Sequence, residues 1–397
     1  MPTPDRDFPQ KTLRIRAPSR HVGERGSAIL DMARAVSAIL VMVGHLRGLF
    51  FVPYGDVADG SVVTQALYFF TSLGHEAVMV FFVLSGFFIS ANVLRAMENG
   101  RWGWNWYLGH RITRLSVVLM PALIIGFVLD TLGLHLFGTN GPYGGGEEYA
   151  HIIVAPVAGR LGWTIFLGNA AYLQDIFVPT FGSNGPLWSL SYEFWYYLLF
   201  PCLAVAIFGR RLRSRIIHGA IAAMIALLVG ERILLYFTIW LFGVAAFLMP
   251  IPKALTRRGL PRRAALTATG ALLLLTLVVS KLHVAPQAIN DMAIGVVCAT
   301  LVYLFAHTPS GANGRRTFFG RLAHFAAGFS YTLYLAHLPA LVFLCAWLDQ
   351  RWQPDPVHGL YGLIVAAGVL IYAFVLSRLT EARTDQVRRA LFGAQAT

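Results

Sequence analysis

The sequence predicts an all-α integral membrane bundle of about ten transmembrane helices, with both termini cytoplasmic. Three observations predict it. The 397-residue chain is 56% hydrophobic and 13% charged, where a soluble domain averages ~25% charged residues. Ten apolar runs reach or approach the ~20 residues that cross a bilayer. The basic residues also fall unevenly about those runs, as described below.

The runs lie near 29–51, 75–94, 114–134, 186–208, 215–230, 232–249, 264–282, 290–307, 327–348 and 358–379. Each is long enough for a membrane helix, although 215–230 is short. The stretch Trp163–Val178 is weaker because it carries Asn169, Gln174 and Asp175, and it reads as a short helix dipping into the outer face. Residues 1–28 are polar and basic, without the apolar core and small-residue cleavage site of a signal peptide. The expected organisation is a cytoplasmic tail 1–28, a membrane domain 29–379 and a cytoplasmic tail 380–397. Within the domain, 135–185 is a long outer loop, rich in glycine at 138, 141 and 144–146. No Lys-Ser/Thr follows the glycines, so they are not a phosphate loop. A flexible loop or part of an acceptor-binding lid are both consistent with them.

Of the 32 Lys and Arg, 26 fall at the N-terminus or after the second, fourth, sixth, eighth and tenth runs, and five fall on the opposite side. Cytoplasmic loops carry such an excess, which orients both termini inward. The net charge of +13 is mostly this bias, so no nucleic-acid partner is expected. Cys202, Cys298 and Cys345 lie inside apolar runs and suggest neither disulfides nor a metal site.

Against this apolar background the intramembrane polar residues carry the functional signal. The first run contains Arg34 and His45. Eleven residues at ~100° each amount to ~20° beyond three turns, so the two share a helix face, ~16 Å apart along the axis. The second run contains Ser85-Gly86 and the fourth opens with Trp188-Ser189-Leu190-Ser191-Tyr192-Glu193. The ninth contains Ser330, Tyr331, Tyr334 and His337, and Arg111 and Arg114 stand before the third. By rise per residue, His45 and Glu193 both lie ~10 Å below the outer surface. A carboxylate beside an imidazole raises its basicity and fixes its tautomer, which is the unit needed to deprotonate a hydroxyl. The pairing requires both side chains to line one cavity. Plainer readings are helix packing for Ser85-Gly86, an interfacial aromatic belt for Trp188 and Trp195–Tyr197, topogenic charge for Arg111 and Arg114, and an interhelical hydrogen bond for His337. The alternative for the arginine pair is a cytoplasmic anion site.

Together these clusters resemble the membrane acyltransferase 3 family. The matching positions are Leu30-Asp31-x-x-Arg34-Ala35 followed by Gly44-His45, then Phe81-Phe82-x-Leu84-Ser85-Gly86-Phe87, Arg111-x-x-Arg114, Trp188-Ser189-Leu190-x-x-Glu193 and Ser330-Tyr331-x-x-Tyr334-Leu335-x-His337. Two positions depart from the usual pattern: Met32-Ala33 stand where Gly-Leu is common, and Leu84 where Phe is. The resemblance implies transfer of an acyl group, usually acetyl, from acyl-CoA to a hydroxyl of a cell-surface or exported glycan or glycosylated small molecule. It implies residence in the bacterial cytoplasmic (inner) membrane. His45 with Glu193 would be catalytic, and Arg34, Arg111 and Arg114 would serve the CoA phosphates or the pantetheine path. Ser85, Trp188, Ser189, Tyr334 and His337 are further candidates, with Ser85, Ser189 and Tyr334 able to stabilise an oxyanion. No metal is expected. Direct transfer and an acyl-histidine intermediate both remain open. The alternative is a membrane carrier for a sugar intermediate or organic acid, although no internal repeat of the kind common in carriers is visible.

Overall fold

The computed structural model describes residues 22–393 except 59, 251, 253–254, 256–258 and 308–316. Residues 1–21 of the expected N-terminal tail, and the last four of the C-terminal one, lie outside the described residues. No strand occurs among those described. The helices are α1 (Glu24–Phe50), α2 (Val62–Thr71), α3 (Gly74–Glu98), α4 (Trp104–Phe137), α5 (Trp163–Ala170), α6 (Leu187–Phe208), α7 (Leu212–Leu248), α8 (Leu260–Lys281), α9 (Gln287–Ala306), α10 (Phe318–Ala327), α11 (Ser330–Leu348), α12 (Pro356–Leu379) and α13 (Thr384–Phe392).

Nine of the described helices are long and apolar enough to cross a membrane. The sequence predicts ten spans, and the difference is one of bookkeeping at Gly230. There α7 leaves helical geometry, with φ 77° and ψ 177°, a backbone state open to glycine. The chain folds back at that point. Arg232, just past it, lies 3.5 Å from Asp175 of the long loop. The two ends of α7 lie on the opposite face, where Arg215 donates to the Ala206 carbonyl and Tyr303 to the Pro250 carbonyl. With α7 counted as two segments, the described residues hold ten helical segments of membrane-spanning length, and α1 begins on the face where α12 ends. We call this the basic face and the other, covered by residues 138–186, the loop face.

Several boundaries shift. Helix α1 starts at Glu24, inside the expected tail, and α4 starts at Trp104, which places Arg111 and Arg114 within a helix. Helices α2, α10 and α13 were not anticipated, being only nine or ten residues long and invisible to a search for spans. Helix α13 makes part of the C-terminal tail a packed element, with the Phe392 ring against Gly109 of α4.

The bundle packs closely where side chains vanish. A Cβ on Gly86 would collide with the Trp240 carbonyl, and one on Gly243 with the Val83 carbonyl, so α3 and the second half of α7 meet at backbone distance. Small residues allow this approach, which lipid-embedded helices rely on for dispersion contacts. Ser85-Gly86 is thus a packing position, as the plainer reading had it, and Ser85 also joins a polar chain described below.

The long loop is pinned, not slack. Asp130 of α4, 1% exposed, accepts from the Ser183 amide at 2.8 Å and its hydroxyl at 2.7 Å. Asn184 donates to the Leu335 carbonyl at 2.7 Å, tying the start of α6 to α11. Buried polar groups must be paired, and these pairs fix the end of the loop where it enters α6. Of the expected dipping helix, only Trp163–Ala170 is helical; Tyr172 and Asp175 then turn through positive φ.

Two outcomes follow from this fold. Gly243→Ala should lower the melting temperature of the detergent-solubilised protein by several degrees, since overpacking a tight core costs ~1–3 kcal/mol. An unchanged melting curve would contradict the close crossing of α3 and α7. A single cysteine introduced at position 145 should react with an impermeant thiol reagent in intact cells; reaction only after lysis would reverse the inward orientation of the termini.

Candidate active site

Two cavities enter the bundle from opposite faces. The cavity on the basic face, about 390 Å³, is lined by Arg34, Arg111, Arg114, Ser85 and Glu193, among others. The cavity on the loop face, about 450 Å³, is lined by His45, Arg47, His75, His151, Trp188 and Arg232 among others. Both have the volume of small-molecule sites. Val78 and Tyr334 line both, and so form the wall between them.

The basic cavity collects the arginines of α1 and α4 beneath α6. Arg34 donates to Asp31 at 3.2 Å, one helical turn earlier, and its Nε is buried without a partner. The Arg111 guanidinium lies 5.7 Å from the ring centres of both Tyr107 and Tyr197, and its Nε is likewise unpartnered. Buried donors without acceptors, three cations on one surface, make this a place for anionic oxygens. Glu193 forms no ion pair with these arginines among the described residues. It accepts from Tyr197 and, at 3.0 Å, from Ser85, whose oxygen accepts from the Trp240 indole at 3.1 Å. The Ser85 proton is therefore engaged by a carboxylate.

His45 does not meet Glu193. The two lie at similar depth but face different cavities, so the expected base–orienter pair is not formed. The reason is azimuthal: depth along two helices says nothing of how each is rotated about its axis. The partner of His45 is His337, Nδ1 to Nε2 at 2.8 Å, with the rings stacked at 18° and centroids 5.1 Å apart. His337 is fully buried, and its Nδ1 lies 2.8 Å from the Leu333 carbonyl.

The proton positions follow from donors and acceptors. A carbonyl only accepts, so His337 Nδ1 carries hydrogen and, in the neutral ring, Nε2 offers a lone pair. His45 Nδ1–H donates to it. His45 Nε2 is then left as a free base in a half-buried side chain on the loop-face cavity, with no partner among the described residues. A backbone carbonyl, relayed through a second imidazole, does the orienting that a carboxylate was expected to do.

Above His337, Tyr334 and Ser189 share a hydrogen bond of 2.7 Å between hydroxyls, and both also approach the Pro186 carbonyl, at 3.4 and 3.2 Å. Tyr334 thus places a hydroxyl at the wall between the cavities. Trp188 packs edge-on against Tyr192, centroids 4.9 Å apart, and itself lines the loop-face cavity.

Sequence reasoning passed over three groups in that cavity or behind it: His75, Asp291 and His151. The signal for Asp291 was present, an acid inside the run 290–307. His75 sits at a helix start and His151 in the loop, where no periodicity marks them. Burial, with Arg47 and Arg351 beside it, holds the His151 imidazole below its ordinary pKa and so uncharged at neutral pH.

A family model described as "Acyltransferase domain", that of acyltransferase family 3, matches residues 27–378. The chain is 24% identical over 194 residues to nodulation protein 10 of Rhizobium leguminosarum bv. viciae, covering 49% of this chain and 48% of that protein. It is 28% identical over 175 residues to the O-acetyl transferase of Shigella phage Sf6, covering 44% of each. The chain thus spans about half the length of the curated relatives it matches. No solved structure matches. The family model takes in every residue of both cavities, and on that match the chain belongs to the acyltransferase 3 family.

Proposed function

We propose that this protein is a multi-pass membrane O-acyltransferase of the bacterial cytoplasmic membrane. Its donor is acyl-CoA, in the first place acetyl-CoA, and its acceptor is a hydroxyl of an exported or cell-surface glycan or glycosylated small molecule. The observation that carries the reading is the back-to-back pair of cavities: cationic on one face, with a free imidazole nitrogen on the other, and Tyr334 and Val78 between. The donor's phosphates are held by Arg111 and Arg114. Its thioester arm passes Arg34 toward Tyr334, and Glu193 keeps Ser85 and Tyr197 in place along that path. The acceptor enters the loop-face cavity. His45 Nε2 either takes the hydroxyl proton or takes the acyl group, and His337 holds the ring in the tautomer that makes either step possible. The Tyr334 hydroxyl is the donor best placed to meet the developing oxyanion.

One observation favours a second reading. Cavities on opposite faces with a thin wall between them are also what a carrier shows in an occluded state. Family membership and the relayed histidine, which a carrier does not need, favour the transferase. Release of free thiol from acetyl-CoA decides between them, because a carrier consumes no thioester.

Arg111→Ala and Arg114→Ala should each raise the KM for acetyl-CoA about tenfold or more, as expected for a lost charge-assisted contact of ~1.5–3 kcal/mol. The effect should shrink with a short thioester lacking the nucleotide; unchanged KM in both variants would leave the pair with a topogenic role alone. His45→Ala should lower turnover at least ~10²-fold while membrane expression persists. His337→Ala should fall in the same direction, and the double variant should be little worse than His45→Ala, because residues acting as one unit are not additive. Additive losses in the double variant would separate the two histidines.

A further inference from the structure

The imidazole–carboxylate pair expected for His45 does exist in this protein, on other residues. His75, second in α3, places Nε2 at 2.9 and 3.0 Å from the two oxygens of Asp291 on α9. Asp291 is 2% exposed and also accepts from the Tyr236 hydroxyl at 3.0 Å. The Gln287 side-chain amide nitrogen stands 2.9 Å from the same His75 nitrogen, and because that nitrogen faces a carboxylate the amide is read flipped, with its oxygen toward the ring. A carboxylate accepts and does not donate, so the proton is on Nε2 and the lone pair of the neutral ring is on Nδ1. Among the described residues that nitrogen has no partner.

His75 lines the same loop-face cavity as His45. Their helices touch at the point between them: a Cβ on Gly44 would stand 3.8 Å from the Gly74 Cα, and one on Gly74 3.5 Å from the Val41 Cα. Each histidine directly follows one of these glycines in sequence. The cavity thus presents two imidazoles, each tautomerically fixed from behind, one by a relayed carbonyl and one by a buried carboxylate. The His75 side chain is 31% exposed and lines that cavity, so it does more than tie α3 to α9.

Direct transfer needs one base. A route through an acylated His45 needs two, because an acylated Nε2 has no lone pair left to accept a proton. Resting on the acyl-CoA reading above, we infer that the reaction has two steps and that His75, oriented by Asp291, is the catalytic base of the second. In the first, His45 Nε2 attacks the thioester carbonyl; a C–N bond forms, the C–S bond breaks, and CoA leaves as thiolate, which takes a proton from water at the basic face. The His45 Nδ1 proton passes to His337 Nε2, leaving a neutral acyl-imidazole. In the second, the acceptor hydroxyl attacks the acyl carbon; a C–O bond forms and the C–N bond breaks. The hydroxyl proton goes to His75 Nδ1 and then to water at the loop face, while His337 returns its proton to His45. One proton is consumed on the basic face and one released on the loop face, and no other reactant is required.

The test uses the purified full-length protein with acetyl-CoA and radiolabelled CoA, with water or added glycerol as acyl acceptor. Wild type should exchange label between CoA and acetyl-CoA without added glycerol. His75→Gln should keep this half-reaction within about twofold, while transfer to water or glycerol falls at least ~10²-fold and the protein gains the mass of one acetyl group, read by intact-mass spectrometry. Asp291→Asn should fall in transfer in the same direction, with exchange retained. Should His75→Gln fold poorly, His75→Gly supplemented with free imidazole provides the second arm, and transfer should rise with imidazole concentration. The inference is overturned by a wild type that cleaves acetyl-CoA without exchange, by exchange with no onward transfer, by His75→Gln transferring at wild-type rate, or by exchange and transfer failing together in both His75 variants. A wild type that leaves acetyl-CoA intact overturns the acyl-CoA reading itself.

Discussion

A polar side chain inside an apolar bundle must find either a partner or a water-filled space, and the functional architecture of this protein follows from that constraint. The polar residues of the spans sort into two groups accordingly. Those that hold the fold are satisfied by short, local or buried bonds, as Asp130 is by Ser183 and Asn184 by the Leu335 carbonyl. Those that line the two cavities keep a nitrogen or a charge in reserve: Arg34 and Arg111 on the basic side, His45 and His75 on the other. A helix with a charge at one level and an imidazole three turns on, as in α1, joins the two cavities through a single element.

The chemistry of the two sides differs for the same reason. The basic cavity has an excess of cations near a carboxylate that is already satisfied by hydroxyls, so its free interactions are with anions. The loop-face cavity contains two imidazoles, each with one nitrogen hydrogen-bonded, His45 to His337 and His75 to Asp291, and the other without a partner among the described residues. Tyr334 and Val78 line both cavities and separate them. Close backbone packing at Gly86 and Gly243 on one side, and at Gly44 and Gly74 on the other, keeps α3 in register with its neighbours, and α3 is the helix that carries both Ser85 and His75.

Most of the bundle was legible in the sequence. The ten apolar runs and their order, with a break between 215–230 and 232–249, could be read from run length, since hydropathy over ~20 residues is a local property, and the common face of both chain ends from the run count and the placement of the basic residues. The polar clusters were legible too, because an ionisable residue in an apolar run is conspicuous. The short helices α2, α10 and α13 do not span and so escape a search for spans, and the sequence leaves the long loop open between a flexible loop and part of a lid, because the buried side chains that pin its end, such as Asp130 and Asn184, find their partners far along the chain.

Pairing was not legible. His45 and Glu193 share a depth, which rise per residue gives, but rotation about each helix axis is set by packing against neighbours, and it turned them into separate cavities. The same packing brought His45 to His337 across 292 residues and His75 to Asp291 across 216. The sequence by itself determined which residues would be too polar to face lipid and how deep each would lie, because those depend on composition and on 1.5 Å of rise per residue. Only the tertiary structure decided which of them met, since azimuth, close contact and the direction of a lone pair are properties of the packed bundle.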